Sequence, residues 1–386
     1  MFQRITSVLI LTCLIAIVRA DDSIVSGFPA PRKNFPAHIE DVRGYLLQTQ
    51  LPQRQPSDVE YNVPFELNAV AGVPYRGKYL LIHGLNDSPS VWRDTAQELA
   101  QRGYDVRAIL LPGHGNTPEA QLDVTYQMWL EAARSQLELW RTEAEPFFIG
   151  GFSLGGVIAT ILAREYEGID GLLLFSPAYY STRNNLLRWA SLVSHVKPWV
   201  FGGMIIEDNP SKYNSIPINA AAQYYKSTRY LRDIWGREKL YMPVLMVASM
   251  DDSVVSIERM RGLFKRRFSS PRKRLLLYGN GDVQAGPGEI VRRSAYPEYR
   301  VLNQAHMSVL IAPDNPFYGK HGRQLVCNGN EWNVFSACLY YSTGERWRGA
   351  EGTPSPDEVP VARTTFNPDF NFIMQQYDEV FGIVPP

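Results

Sequence analysis

The clearest pattern along the chain is a set of short apolar runs separated by amphipathic stretches, starting near Lys78. Tyr79, Leu80, Leu81 and Ile82 form one run, residues 106–111 a second, and Phe147, Phe148 and Ile149 a third. Residues 171–175, 244–248 and 274–278 repeat the pattern, and 299–302 reads as a further strand-like segment. Mostly apolar runs this short predict strands buried on both faces, as in a parallel sheet under helices. Between them the spacing turns helical. Ser88 and Pro89 supply an N-cap and a first-turn proline for a helix to about Arg102, stopped by Gly103. Residues 123–143 predict a second helix, and Val157, Ile158, Ile161 and Leu162 mark the apolar face of a third. Such alternation predicts an α/β class, with a mostly parallel central sheet and helices on both faces.

The alternation fails in four places. Residues 21–75 hold many prolines and little periodicity, and read as an N-terminal extension wrapped on the core. Residues 176–241 are helical or irregular and rich in aromatics, including Tyr179, Trp189, Tyr213, Tyr224 and Trp235. They predict an inserted helical cap over the C-terminal ends of the strands, with a few aromatics lining a pocket for an apolar group. Residues 279–296 are inserted ahead of the strand-like 299–302, leaving open which segment is the last strand. Residues 313–386 exceed what a minimal sheet needs and read as a C-terminal extension. The core is then expected over 76–175 and 242–312.

Of the 386 residues 45% are hydrophobic and 20% charged, with a formal net charge of zero, so a sizeable core is affordable. Charge balance gives no support for a nucleic-acid partner; transient contact with a lipid or membrane surface stays compatible with an apolar substrate. The N-terminus changes the picture. Arg4 precedes an apolar stretch over 5–18, with small Val18 and Ala20 ahead of Asp21. That pattern predicts a secretory signal peptide over 1–20, cleaved after Ala20, and an exported (periplasmic or secreted) protein. The alternative is an uncleaved membrane anchor, although the apolar stretch is shorter than the roughly 20 residues of a span. Cleavage removes Cys13 and leaves Cys327 and Cys338, which in an exported chain read as one disulfide. Closing so short a loop is worth roughly 3 kcal/mol in the chain-entropy model. With no histidine pair beside the cysteines, no metal site is expected, and no cofactor.

The chemistry centres on Gly151-Phe152-Ser153-Leu154-Gly155, between an apolar strand and a helical run. A G-x-S-x-G turn in that setting is a nucleophile elbow, which forces the serine oxygen out of the sheet. Serine needs a base in reach, itself oriented by a carboxylate. Of six histidines, His306 in Gln304-Ala305-His306 lies late in the chain, which gives the order serine, acid, histidine. The acid should end the strand over 244–248, where Asp251 and Asp252 both stand; Asp252 opens the turn Asp252-Ser253-Val254-Val255. The oxyanion of the tetrahedral intermediate needs two backbone N–H groups. Leu154 follows the nucleophile, and Leu85 follows His83-Gly84 at the end of a strand.

With His83-Gly84-Leu85, residues 111–115, Gly151 to Gly156, Asp252 and Ala305-His306-Met307 in this order, the chain resembles the α/β-hydrolase superfamily. Within it, the chain is similar to the monoacylglycerol lipase, lysophospholipase and carboxylesterase group, the serine-aminopeptidase-like hydrolases, over about 78–310. The segment Tyr213-Asn214-Ser215-Ile216-Pro217 is similar to one in bacterial carboxylesterases of that group. Ser249 departs from the pattern, since many relatives have Gly before the acid. The resemblance implies an exported serine hydrolase that cleaves a small ester with an apolar part through Ser153, His306 and Asp252. Acyl transfer on the same triad and a catalytically inactive binding protein are the competing readings.

Overall fold

The computed structural model describes residues 27–327, 346–356 and 361–383. The predicted signal peptide, Cys13 and Cys338 lie outside the described residues.

Eight strands form one sheet: β1 (Phe65–Leu67), β2 (Gly77–Ile82), β3 (Tyr104–Ile109), β4 (Phe147–Phe152), β5 (Gly171–Phe175), β6 (Val244–Ser249), β7 (Lys273–Tyr278) and β8 (Glu289–Arg292). Their spatial order is β1-β3-β2-β4-β5-β6-β7-β8. Only β1 runs antiparallel to its neighbour among these pairs; the others are parallel. The two-residue period of a strand divides the apolar runs between the faces. Leu80, Ile82, Ile149, Leu172, Leu174 and Met246 face α3 (Tyr126–Trp140), α4 (Leu154–Glu165) and α8 (Ile257–Arg267). Tyr79, Leu81, Phe148, Leu173, Leu245 and Val247 face α2 (Arg93–Gln101) and the helix Phe370–Phe381. This is the mostly parallel, two-sided sheet of the α/β-hydrolase fold.

Three expectations change. The N-terminal region carries α1 (Phe35–Thr49), capped by the Asn34 side chain on the Ala37 N–H, and its Phe35, His38, Val42 and Leu46 are buried. Its spacing is helical, but the surrounding prolines hid it. Arg107 of β3 fastens this region: it pairs with Glu66 of β1 at 2.7 Å and its guanidinium lies 3.9 Å from the Phe35 ring. The last strand of this sheet is β8, inside the segment read as an insertion, and 299–302 is not a strand. There a short 3-10 turn, Pro297–Tyr299, is followed by Arg300 at φ 54°. The sheet edge exposes β8 partly, so it never needed a continuous apolar run. Finally, the helix Phe370–Phe381 packs Phe370, Ile373, Met374 and Tyr377 into the core beneath the strands, far beyond residue 312.

Between β5 and β6 the chain forms α5 (Asn184–Leu187), α6 (Ala190–Val193), an irregular stretch and α7 (Ile218–Trp235). Helix α7 lies on α4 and α3. Tyr179 and Trp235 bury their rings against each other, whereas Trp189 and Phe201 stay more than half exposed.

Candidate active site

Ser153 joins β4 to α4 at φ 54°, ψ −114°, a conformation that L residues rarely adopt. Two glycines make the turn feasible. A Cβ on Gly155 would sit 1.9 Å from the Ile82 carbonyl oxygen, and one on Gly151 would sit 2.3 Å from that of Gly155. The Ser153 N–H donates to the Phe175 carbonyl at 3.0 Å, and the Ser153 carbonyl accepts from Ala178 at 3.0 Å. The strained serine is therefore tied at both sides of its peptide.

His306 follows a loop beyond β8 and stands beside Asp252, with Nδ1 2.6 Å from Asp252 Oδ2. The other carboxylate oxygen, Oδ1, accepts from Val254 N–H at 2.8 Å and Val255 N–H at 2.9 Å. Asp251 turns elsewhere: its Oδ2 accepts from Ser294 Oγ at 2.9 Å, and burial pushes its carboxyl upward. The Phe152 ring lies 5.1 Å from the imidazole of His306. Two hydroxyls hold the histidine loop. Ser176 Oγ donates to the His306 carbonyl at 3.1 Å, and Ser249 Oγ donates to the Gln304 carbonyl at 2.7 Å. Ser249, the departure from the common glycine, thereby gains a role that a glycine could not fill.

Leu85 and Leu154 line the same cavity as Ser153 and His306, which measures about 230 Å³. Leu154 is the first residue of α4, where a helix leaves its N–H without an internal partner. Among the described residues the N–H groups of Leu85 and Leu154 meet no acceptor. His83 shapes the Leu85 loop: its Nε2 accepts from the Leu111 N–H at 3.0 Å, and its Nδ1 lies 2.8 Å from the Gly84 carbonyl. That pairing requires a neutral ring with the proton on Nδ1. Burial, then the neighbouring charge of His114, drives its pKa well below the usual range.

Apolar side chains dominate the cavity wall: Phe152, Ile216, Tyr224, Val254, Met307 and Val326. Val326 and Arg363 come from the C-terminal extension, whose place over the site no local pattern signals. Thr364 Oγ1 donates to the Asn303 carbonyl at 2.7 Å, drawing that extension across the histidine loop. Cys327 is buried, and because Cys338 lies outside the described residues the pairing of the two stays an expectation.

Sheet order, elbow and histidine loop together define an α/β-hydrolase. The chain belongs to the serine aminopeptidase (S33) family, whose model matches residues 74–281, more than half of its length. His306 lies beyond that match. A thermostable monoacylglycerol lipase of Bacillus sp. (strain H-257) is 28% identical over 99 residues, covering 26% of this chain and 40% of the relative. Human protein ABHD8 is 24% identical over 200 residues, covering 46% of this chain and 45% of the relative. The chain thus spans less than half the length of these curated relatives. A structure reported for the metagenome-derived lipolytic enzymes LipS and LipT aligns at TM-score 0.48 and 21% identity, over 56% of this chain and 87% of that one.

Proposed function

We propose that this protein is a serine hydrolase that cleaves carboxylic esters through a covalent acyl-enzyme. The observation that carries the reading is the 2.6 Å pairing of His306 with Asp252 beside an elbow serine held at positive φ. In the proposed cycle Ser153 Oγ attacks the ester carbonyl carbon while His306 Nε2 takes its proton. The carbonyl oxygen becomes an oxyanion that accepts from the N–H groups of Leu85 and Leu154, each donor worth about 3–4 kcal/mol. His306 then returns the proton to the departing alkoxide, and the alcohol leaves. Water repeats the sequence on the acyl-enzyme, giving the carboxylic acid and restoring Ser153. Asp252 fixes the tautomer of His306 and stabilises its imidazolium form.

The apolar wall of the cavity supports an ester with an apolar part. Leu186, Leu192, Val196 and Ile206 expose more than half of their surface on the cap, close in sequence to Arg188 and Lys197, which supports transient contact with a lipid surface. Export with removal of residues 1–20, and a Cys327–Cys338 disulfide, complete the proposal.

Incubation with a fluorophosphonate followed by peptide mass spectrometry tests it. The adduct is expected on Ser153, and Ser153→Ala should lose at least a thousandfold in turnover of p-nitrophenyl esters. An active preparation with Ser153 unlabelled would overturn the reading.

A further inference from the structure

The cavity that holds Ser153 and His306 also contains two cations for which ester cleavage itself has no use. One is Lys212, from the cap; the other is Arg363, from the C-terminal extension. The chain around Lys212 is fixed on both sides, by the terminal extensions and by the core. Asn62 Nδ2 donates to the Pro210 carbonyl at 2.7 Å, and Ser211 Oγ hydrogen-bonds Tyr318 Oη at 2.6 Å. Tyr213 N–H donates to the Asn86 carbonyl at 2.9 Å, and Tyr213 Oη donates to Asn116 Oδ1 at 2.8 Å. Yet no hydrogen bond or ion pair reaches the Lys212 ammonium among the described residues; burial lowers its pKa, and the charges of Asp87, Arg363 and Glu207 act on it only at longer range.

Arg363 is also lightly held. Its Nη1 donates to Ser253 Oγ at 3.2 Å, and its Nη2 stands 3.9 Å from Glu351, at the outer limit of an ion pair. Asp87 is the acid among the lining residues, so two cations face one carboxylate. That carboxylate accepts from the Ser88 N–H at 3.0 Å, and burial raises its pKa, which weakens it as a counter-ion. Burying a cation without a hydrogen-bonded anion is unfavourable. A substrate that brings an anion between them would recover that cost.

We infer that Lys212 and Arg363 form an anion subsite of the catalytic cavity, and that the preferred substrates are esters bearing a carboxylate or phosphate beyond the scissile bond. This rests on the esterase reading above. Arg363 offers the planar fork that suits either oxyanion, and Lys212 a point charge that follows it. Both come from segments outside the sheet, so the subsite exists only where cap and C-terminal extension meet over the elbow.

The test uses the full chain as expressed and three p-nitrophenyl esters of matched length. Their acyl chains end in a carboxylate (hemiglutarate), its neutral methyl ester, and a phosphate (4-phosphonooxybutanoate). At least one anionic ester should show a kcat/KM tenfold or more above the neutral one, and which of the two does so separates carboxylate from phosphate. Lys212→Met should lower that anionic-to-neutral ratio at least tenfold, and Lys212→Arg should keep it within threefold. An independent measurement on the unaltered protein covers a variant that fails to fold: glutarate should inhibit neutral-ester turnover at a tenfold lower concentration than its uncharged diamide, glutaramide, with added salt weakening it. A ratio at or below one for both anionic esters, an unchanged ratio in Lys212→Met, or equal inhibition by glutarate and glutaramide overturns the subsite while leaving the esterase reading intact. No turnover of any ester, with Ser153 unlabelled, overturns both.

Discussion

Asp252 splits its carboxylate between two tasks: Oδ2 lies 2.6 Å from His306 Nδ1, while Oδ1 accepts the N–H groups of Val254 and Val255. The turn 252–255 therefore presets the carboxylate before any histidine arrives, and its neighbour Asp251 is committed to Ser294 on the far side. Adjacent residues of the same type are separated by which one the turn closes upon.

Replacing these two acids should separate them functionally. Asp252→Asn is expected to lower kcat on p-nitrophenyl butyrate by roughly four orders of magnitude, because the imidazole then takes the wrong tautomer. Asp251→Asn should cost less than tenfold. Steady-state kinetics on both purified variants decides it, and a crippled Asp251→Asn beside a mild Asp252→Asn reverses the assignment.

Chain length should read the cavity. Each added CH₂ that enters the apolar wall is worth about 0.8 kcal/mol, close to fourfold in kcat/KM. The efficiency should climb over neutral p-nitrophenyl acyl esters until the cavity of about 230 Å³ is full, then drop. Ile216→Ala enlarges that wall and should move the optimum to a longer acyl chain without loss of acetyl-ester turnover. A flat profile would mean that the cap does not contact the acyl chain.

Acid should destabilise the fold through its buried histidines. His38 and His114 are lowered to about 4, both mainly by burial, and His83 lies well below its usual value. Their folded pKa values lie below the unfolded 6.5, so the stability from keeping them neutral is complete above pH 6.5 and disappears as pH falls toward 4. For His114 the loss by pH 4 is on the order of 3 kcal/mol. His114→Asn keeps a donor for the Pro112 carbonyl, which Nδ1 meets at 3.1 Å. Urea unfolding of that variant should lose about that much less stability than the parent between pH 7 and pH 4; parallel curves would refute the account.

Export and oxidation can be read on one sample. Protein recovered from the periplasm or medium of a bacterial host should begin at Asp21. Non-reducing peptide mapping should find Cys327 linked to Cys338, and recovery of both as free thiols would remove the disulfide from the proposal.

Much of the core was legible because its signals are local. The runs at β2 to β7 must be apolar on both faces, so their burial is written into consecutive residues. The elbow was legible for a related reason: positive φ at Ser153 and the close passage of Gly155 past Ile82 demand particular residues at fixed offsets. The segments α1 and β8 were not legible. Prolines interrupt the helical pattern before α1, and a half-exposed edge strand of four residues has no pattern long enough to detect.

The sequence by itself determined the class of fold and singled out the serine, the histidine and the two loops proposed for the oxyanion, since each depends on residues near one another in the chain. It favoured Asp252 over Asp251 only through the turn that Asp252 opens, whereas the path of the histidine loop brings Asp252 itself to His306. It held no sign of the hydroxyls of Ser176 and Ser249 beneath that loop, or of Lys212 and Arg363 in the cavity. Those residues are 151 positions apart and share no periodicity. Their meeting follows from packing the cap and the C-terminal extension over one end of the sheet, a long-range contact that only the tertiary structure decides.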